Sequence, residues 1–394
     1  MQQSISSITS TRLYLDNAAT EKLLPVVQDA MIAAMQEDLG NATALHAEGC
    51  CARSYIEDAR AKVARLIHAQ PSEIIFTSGG TESNNTIMET FRSQPVALSS
   101  IEHPSILESA KARASQVDFL PVDSLGRVDP KLIAYKKYSL ISVMLANNEL
   151  GTIEPLEEIA ASCHAQADHI TFLHTDATQA IGKIKVDVQA LDVDYLSFSA
   201  HKIGGPLGVG VLYVRQGAPF RPLLLGGHQE CGRRAGTSNT IGIIGLGAAA
   251  DWCWQEWSCK QWLKVALLRD ELRERILNEV PYSSCNSPMQ NCLPNILNVS
   301  FQGAEGESIQ LYLDAEGIAV GTGSACAAGD LQPSHVIMAT QHDAEVAHSS
   351  IRFSLPLDTK KSDIDRIMSV LPQIVKKLQG MSTIKLGAKH GNSK

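Results

Sequence analysis

Through its first two thirds the chain alternates short apolar runs with helix-like segments, and this alternation restricts the fold more than any other feature. Glu73–Thr77, Val96–Leu98, Leu140–Leu145, Thr171–His174, Leu191–Leu196 and Val209–Val214 read as strands. Glu57–Ile67 reads as a helix, as does the stretch from Gly79-Gly80-Thr81-Glu82 to Phe91. Such a pattern predicts an α/β fold, a mostly parallel sheet with helices on both faces. After about residue 250 the character changes. Trp252–Glu279 predicts one long helix, Asn295–Phe301 a strand and Glu307–Glu316 a helix. Ile318–Val320 and Ser350–Ser354 predict strands and Lys361–Gln379 a closing helix, so this part reads as a smaller α+β domain. A length of 394 residues also exceeds what one core ordinarily supports.

Composition narrows the function classes. A net charge of -8 argues against a general nucleic-acid or membrane-surface binder. Met1–Thr11 is polar and lacks the basic and apolar regions of a secretory signal. The best membrane candidate, Ile241–Ala250, is short and glycine-rich and reads as a buried helix. The cytoplasm is the expected location. Nine scattered cysteines form no Cys-x-x-Cys pair, which indicates neither a disulfide framework nor a metal site; most are expected to be small buried hydrophobes.

Six places carry candidate chemistry. Ser197–Pro206 sets Lys202 between a histidine and a Gly-Gly-Pro turn at the end of a strand. Such a lysine points into a site, and its amine can form a Schiff base with a carbonyl compound such as pyridoxal phosphate. The plain alternative is a lysine that caps a strand. In Thr77–Asn84 the glycines let backbone N–H groups face an anion at a helix start, with Thr81 adding a hydroxyl. No Gly-x-Gly-x-x-Gly or Walker lysine is present, so the alternatives are a phosphate cup of another kind or an ordinary strand-to-helix turn. Asp176 ends a strand and needs a cation, such as a protonated ring nitrogen, unless it caps a helix. His103, at the end of a presumed strand, suits ring stacking and proton transfer or is a structural histidine. Gly321–Asp330 is a run of small residues around Cys326, either a nucleophile or a thiol under a tight loop. Arg352 lies between apolar residues on a strand, where it clamps a carboxylate or closes an internal ion pair.

Taken together these residues resemble the cysteine desulfurases, pyridoxal-phosphate enzymes of the class V aminotransferase group. The resemblance is carried in family order by Tyr14–Thr20, Thr77–Asn84, Glu102-His103-Pro104, Asn147–Gly151 and Asp176–Gln179. It continues through Ser197–Gly205, Arg234–Thr237, Gly323–Cys326 and Ser349–Ser354. It implies the fold type I of pyridoxal-phosphate transferases, with a seven-stranded sheet in a large domain. It further implies a large cofactor-binding domain at 14–261, and a small domain of 1–13 with 262–394 carrying the cysteine loop at about 321–333. Lys202 would bind the cofactor covalently, Asp176 would pair with its ring nitrogen, Gln179 with its phenolic oxygen, and His103 would stack on the ring. Gly80, Thr81, Ser199 and His201 would hold the phosphate, joined by Thr237 from a neighbouring subunit of a homodimer. Asn148 would contact the cofactor and, with Arg352, hold the carboxylate of L-cysteine. Cys326 would take the sulfur as a persulfide, releasing L-alanine, and pass it to an acceptor protein.

Two positions depart from the family. Cys231 stands where arginine is usual and Leu207 where lysine is usual, and both changes remove positive charge. The tail lacks the aromatic-acidic ending that iron–sulfur-assembly members use for their scaffold, which favours a specialised pathway such as DNA phosphorothioation or tRNA thiolation. A selenocysteine lyase or β-lyase would need no persulfide-forming thiol, and a degenerate sulfur-transfer scaffold would not need Lys202, Asp176 and His103 intact.

Overall fold

The computed structural model describes residues 12–135, 137–165, 170–256, 259–322 and 332–382. In chain order the elements begin with β1 (Leu13–Tyr14), α1 (Pro25–Met35), α2 (Ala47–Leu66), β2 (Ile74–Thr77) and α3 (Gly80–Thr90). Next come β3 (Pro95–Ser99), α4 (Pro104–Arg113), β4 (Gln116–Leu120), β5 (Leu140–Ser142), α5 (Leu156–His164), β6 (Phe172–Asp176), β7 (Tyr195–Ser199) and β8 (Gly210–Val214). The remainder are α6 (Thr240–Glu256), α7 (Cys259–Glu279), β9 (Ser283–Cys285), β10 (Ile296–Phe301), α8 (Gly306–Ala315), β11 (Ile318–Ala319), α9 (His335–Gln341), α10 (Ala344–His348), β12 (Ser350–Ser354) and α11 (Lys361–Met381).

Seven strands form the main sheet in the order β2-β8-β7-β6-β5-β3-β4. β3 to β7 pair in parallel, and β8 runs antiparallel to both β7 and β2. Because β8 is reversed between them, β2 points the same way as β6 and β7. The carboxyl ends at Thr77, Asp176 and Ser199 therefore open on one edge of the sheet, where open α/β sheets bind ligands. β2, β7 and β8 are buried along their full length, as strands covered on both faces must be. Gly210 is required where β8 crosses that edge, since a Cβ there would lie 2.5 Å from the Gly79 Cα.

One apolar cluster joins the sheet to α1, α2, α5 and α6, and also takes in Leu293 and Ile296. A second is built from α7, α8, α11, the sheet β12-β10-β9, and Leu15 beside β1. β1 pairs in parallel with β11, so the chain start is held against the later part of the sequence. No described helix is long and apolar enough to cross a membrane.

Several expectations change. The helix expected over Trp252–Glu279 is described as α6 and α7, with residues 257–258 between them outside the described residues. The strand expected over Leu191–Leu196 starts at Tyr195, because Asp192 adopts a left-handed φ of 50° that breaks extended pairing. The strand expected over Leu140–Leu145 ends at Ser142. Of the described cysteines only Cys163 and Cys253 are buried, whereas Cys50 and Cys231 are exposed, so most are not core residues.

Candidate active site

β7 ends at Ser199, and a single 3-10 turn, Ala200–Lys202, lifts Lys202 off the sheet edge. Gly204, at φ 70°, and Gly205 then turn the chain back. The Lys202 Nζ donates to the carbonyls of Ala18 at 2.5 Å and Ala19 at 2.6 Å. Gln179 Nε2 donates to the same Ala18 carbonyl at 2.9 Å, and its Oε1 has no partner. Beneath this lysine, Lys183 bonds Glu21 and the Lys202 carbonyl, both at 2.9 Å.

Asp176 ends β6 and is 6% exposed. One of its oxygens accepts the Thr178 N–H at 2.9 Å, the other the Asn84 amide at 2.8 Å. Among the described residues it pairs with no cation. The Asn84 amide also donates to Ser105 Oγ at 2.8 Å, which leaves the Ser105 hydroxyl proton for His103 Nδ1, 2.8 Å away. The Ser105 N–H donates to the same ring nitrogen. His103 is thus not a strand terminus as expected but the N-cap of α4. Both donors make Nδ1 an acceptor, so the ring proton of the neutral form sits on Nε2. Burial holds the His103 pKa below its ordinary value, with the Asp176 charge opposing and Lys202 reinforcing the shift. His174, two residues before Asp176, bridges Ser142 Oγ at 2.8 Å and Ser197 Oγ at 3.0 Å, and burial pulls it down to about 4.

At the end of β2 the chain turns through Gly79 and Gly80 into α3. The Gly80 N–H donates to Ser199 Oγ at 2.7 Å, and a Cβ on Gly80 would sit 3.0 Å from that oxygen. Thr178 Oγ1, also beside Gly80, is buried without a partner. Thr81, at the first turn of α3, is exposed. His201 Nδ1 lies 3.1 Å from Thr20 Oγ1, and its pKa is pulled down to about 4 by burial and the nearby lysines. Thr237 lines a separate pocket with Thr77, Ser78 and Glu230.

A second cluster faces this edge. Arg352 on β12, 3% exposed, pairs with Asp16 Oδ1 at 2.7 Å and donates to the Asn148 carbonyl at 3.1 Å. The two alternatives weighed for it are therefore not exclusive, since an internal ion pair is already formed. Cys326 lies outside the described residues. Leu207 is 70% exposed, and nothing in the structure explains it. Cys231 is exposed in a left-handed conformation at φ 58°, next to Glu230, which grips Arg60.

The orphaned Thr178 and Gln179 oxygens, the glycine cradle and a buried acid without a cation fit a pyridine phosphate held by a lysine. Asn84, Ser105, Thr178 and Asp16 belong to the same site but were assigned nothing from sequence. A signal existed for Asp16, Asn84 and Thr178, which stand inside the motifs Tyr14–Thr20, Thr77–Asn84 and Asp176–Gln179.

Comparison with known proteins agrees with the geometry. The family described as aminotransferase class-V matches residues 13–367. Cysteine desulfurase IscS of Dictyoglomus turgidum is 43% identical over 95% of this chain and 97% of its own length. A solved NifS-like protein is 35% identical, with a TM-score of 0.83 over 94% of this chain and 99% of its own. A solved structure of SspA in complex with cysteine is 32% identical, with a TM-score of 0.76 over 87% of this chain and 99% of its own.

Proposed function

We propose that this chain, which belongs to the aminotransferase class-V family of pyridoxal-phosphate enzymes, is a cysteine desulfurase that converts L-cysteine to L-alanine and passes the sulfur to an acceptor. The observation that carries the reading is one sheet edge bringing together a lysine, an uncompensated buried acid and a glycine cup, in a chain with cysteine desulfurases as full-length relatives.

Each residue then has a task set by its position. Lys202 would hold the cofactor covalently, and its amine, once released, would take the proton from the substrate α-carbon. When bound, the cofactor supplies an electron sink that weakens the Cβ–S bond of cysteine. Asp176, held in place by two N–H donors, would pair with the protonated ring nitrogen. His103, locked as the Nε2–H tautomer, covers the ring face and offers a proton at that atom. Gly80, Thr81, Ser199 and His201 cradle the phosphate, with Thr237 contributed across a homodimer interface. Gln179 meets the phenolic oxygen. Asn148 and Arg352 orient the substrate carboxylate. Cys326 takes the sulfur: its thiolate attacks the substrate sulfur, a persulfide S–S bond forms, and the Cβ–S electron pair stays with the carbon skeleton that leaves as alanine.

We read the chain as a large domain at 14–261 and a small one formed by 1–13 and 262–394; most of the first apolar cluster falls in the former and most of the second in the latter, with Leu15, Leu293 and Ile296 crossing the boundary. We read the protein as cytoplasmic, without direct nucleic-acid binding, and its acceptor as a protein of iron–sulfur assembly, tRNA thiolation or DNA phosphorothioation.

Cys326→Ala tests the reading. The purified variant should keep the visible absorbance of bound cofactor and lose sulfide release from L-cysteine. Wild-type turnover in that variant would sink the role of Cys326, and a colourless wild-type protein that cannot be loaded with pyridoxal phosphate would sink the function itself.

A further inference from the structure

Arg352 meets a carboxylate before any substrate arrives. Its Nη2 lies 2.7 Å from Asp16 Oδ1 and its Nη1 donates to the Asn148 carbonyl, while its buried Nε has no partner among the described residues. A guanidinium fork is matched to a carboxylate that uses both oxygens. Asp16 reaches it with one oxygen only, from a side chain that is 20% exposed against 4% for Arg352. The backbones around the pair are fixed. Gly321 and Arg352 exchange backbone hydrogen bonds of 3.0 and 2.8 Å, and Asp16 bridges Ser354 in parallel. A Cβ on Gly321 would stand 2.6 Å from Asp16 Oδ1 and 2.7 Å from Arg352 Nη2, so the main chain walls the pair on that side. What remains free to move is the Asp16 side chain. A buried guanidinium without a counter-charge is costly, and Asp16 removes that cost in the empty site.

We propose that Asp16 is an internal stand-in for the amino-acid carboxylate, so that substrate binding is an exchange of carboxylates on Arg352. The inference rests on the reading of Arg352 as the substrate's carboxylate site. Asp16 acts through Arg352 and is a positioning residue. It weakens substrate and product alike, because L-cysteine and L-alanine present the same group to the same arginine. Weak product binding keeps alanine from occupying the site.

The test uses cofactor-loaded enzyme and L-alanine, whose binding is read by calorimetry or by the change in cofactor absorbance. In Asp16→Asn the alanine dissociation constant should fall roughly tenfold, the size of one charge-assisted hydrogen bond no longer exchanged. KM for L-cysteine should fall with it, and kcat should not rise. Asp16→Glu, which keeps a competing carboxylate, should stay closer to wild type than Asp16→Asn does. A merely structural Asp16 would move both constants the other way. Should Asp16→Asn fail to fold, Asp16→Ser makes the same comparison. Unchanged or weaker alanine binding in a folded variant overturns the proposal. An Arg352→Gln enzyme that still turns over cysteine and binds it as tightly as wild type does overturns the carboxylate site and this inference with it, leaving the desulfurase reading intact.

Discussion

The two charged centres of the site are built in opposite ways. At the sheet edge, Asp176 is buried, accepts two N–H bonds from neutral groups, and meets no cation among the described residues. Across from it, Arg352 is equally buried but already holds a carboxylate from Asp16. Burying an acid is expensive unless a counter-charge meets it, which suits the role proposed for Asp176 beside a cationic ring nitrogen. A buried base with a displaceable partner suits a ligand that comes and goes. The contrast separates a cofactor that stays from a substrate that must leave, and it does so through the state of each charge before binding.

The largest effect should come from breaking the first centre. Asp176→Asn keeps the shape and, through its remaining oxygen, one N–H bond, but loses the charge for the ring nitrogen. Turnover of the loaded enzyme should fall by on the order of 10²–10³, the range seen when one preorganised electrostatic partner is removed. Loss of turnover with normal cysteine binding would be its signature. Wild-type kcat would remove Asp176 from that role.

How much of this contrast could be read from the sequence differs between the two halves. Lys202 and Asp176 were legible because each follows an apolar run, and the carboxyl edge of a parallel sheet is where such residues gather. The Asn84–Ser105 bridge between Asp176 and His103 was not, because it joins positions 92 and 21 residues apart. His103 was placed at a strand end because Pro104, at the first helical position, gives no apolar periodicity to announce α4. Asp16 lay inside a quoted motif, but only the pairing of β1 with β11 and the bridge to Ser354 show that it faces Arg352. Cys326, proposed as the acceptor from the small-residue run and the resemblance carried by Gly323–Cys326, lies outside the described residues.

The second centre can be broken without touching a charge. Gly321→Ala puts a methyl group between Asp16 and Arg352, where contacts of 2.6 and 2.7 Å cannot stand. The guanidinium must shift, and KM for L-cysteine should rise by roughly tenfold, the cost of one misplaced charge-assisted bond, with a smaller change in kcat. Cofactor absorbance should be untouched, because that centre lies on the other side of the site. A variant that loses cofactor with unchanged KM would show that the two centres are not independent.

The smallest effect lies beneath the first centre, where Glu102 is fully buried just before His103. Ser99 Oγ and the Met144 N–H each donate to one oxygen at 2.6 Å, and the other oxygen has no partner. Burial outweighs both bonds, aided by the charges of Asp176 and Glu154, and raises its pKa from 4.5 to about 8. Glu149 is likewise raised to about 7 and Glu154 to about 8, both by burial. The folded protein keeps these protons well above the pH at which an unfolded chain releases them. Folding therefore takes up protons between about pH 4.5 and 8, and stability falls as pH rises through that window. Glu102→Gln removes one of these protons from the balance while keeping an acceptor for Met144. Its Tm should fall less than that of wild type between pH 6 and 8.5, by a few degrees for a contribution of about 1–2 kcal/mol in a chain of this size. Parallel slopes in the two proteins would mean that Glu102 is ionised in the folded state, and that the negative charge beneath the sheet edge is shared between Glu102 and Asp176.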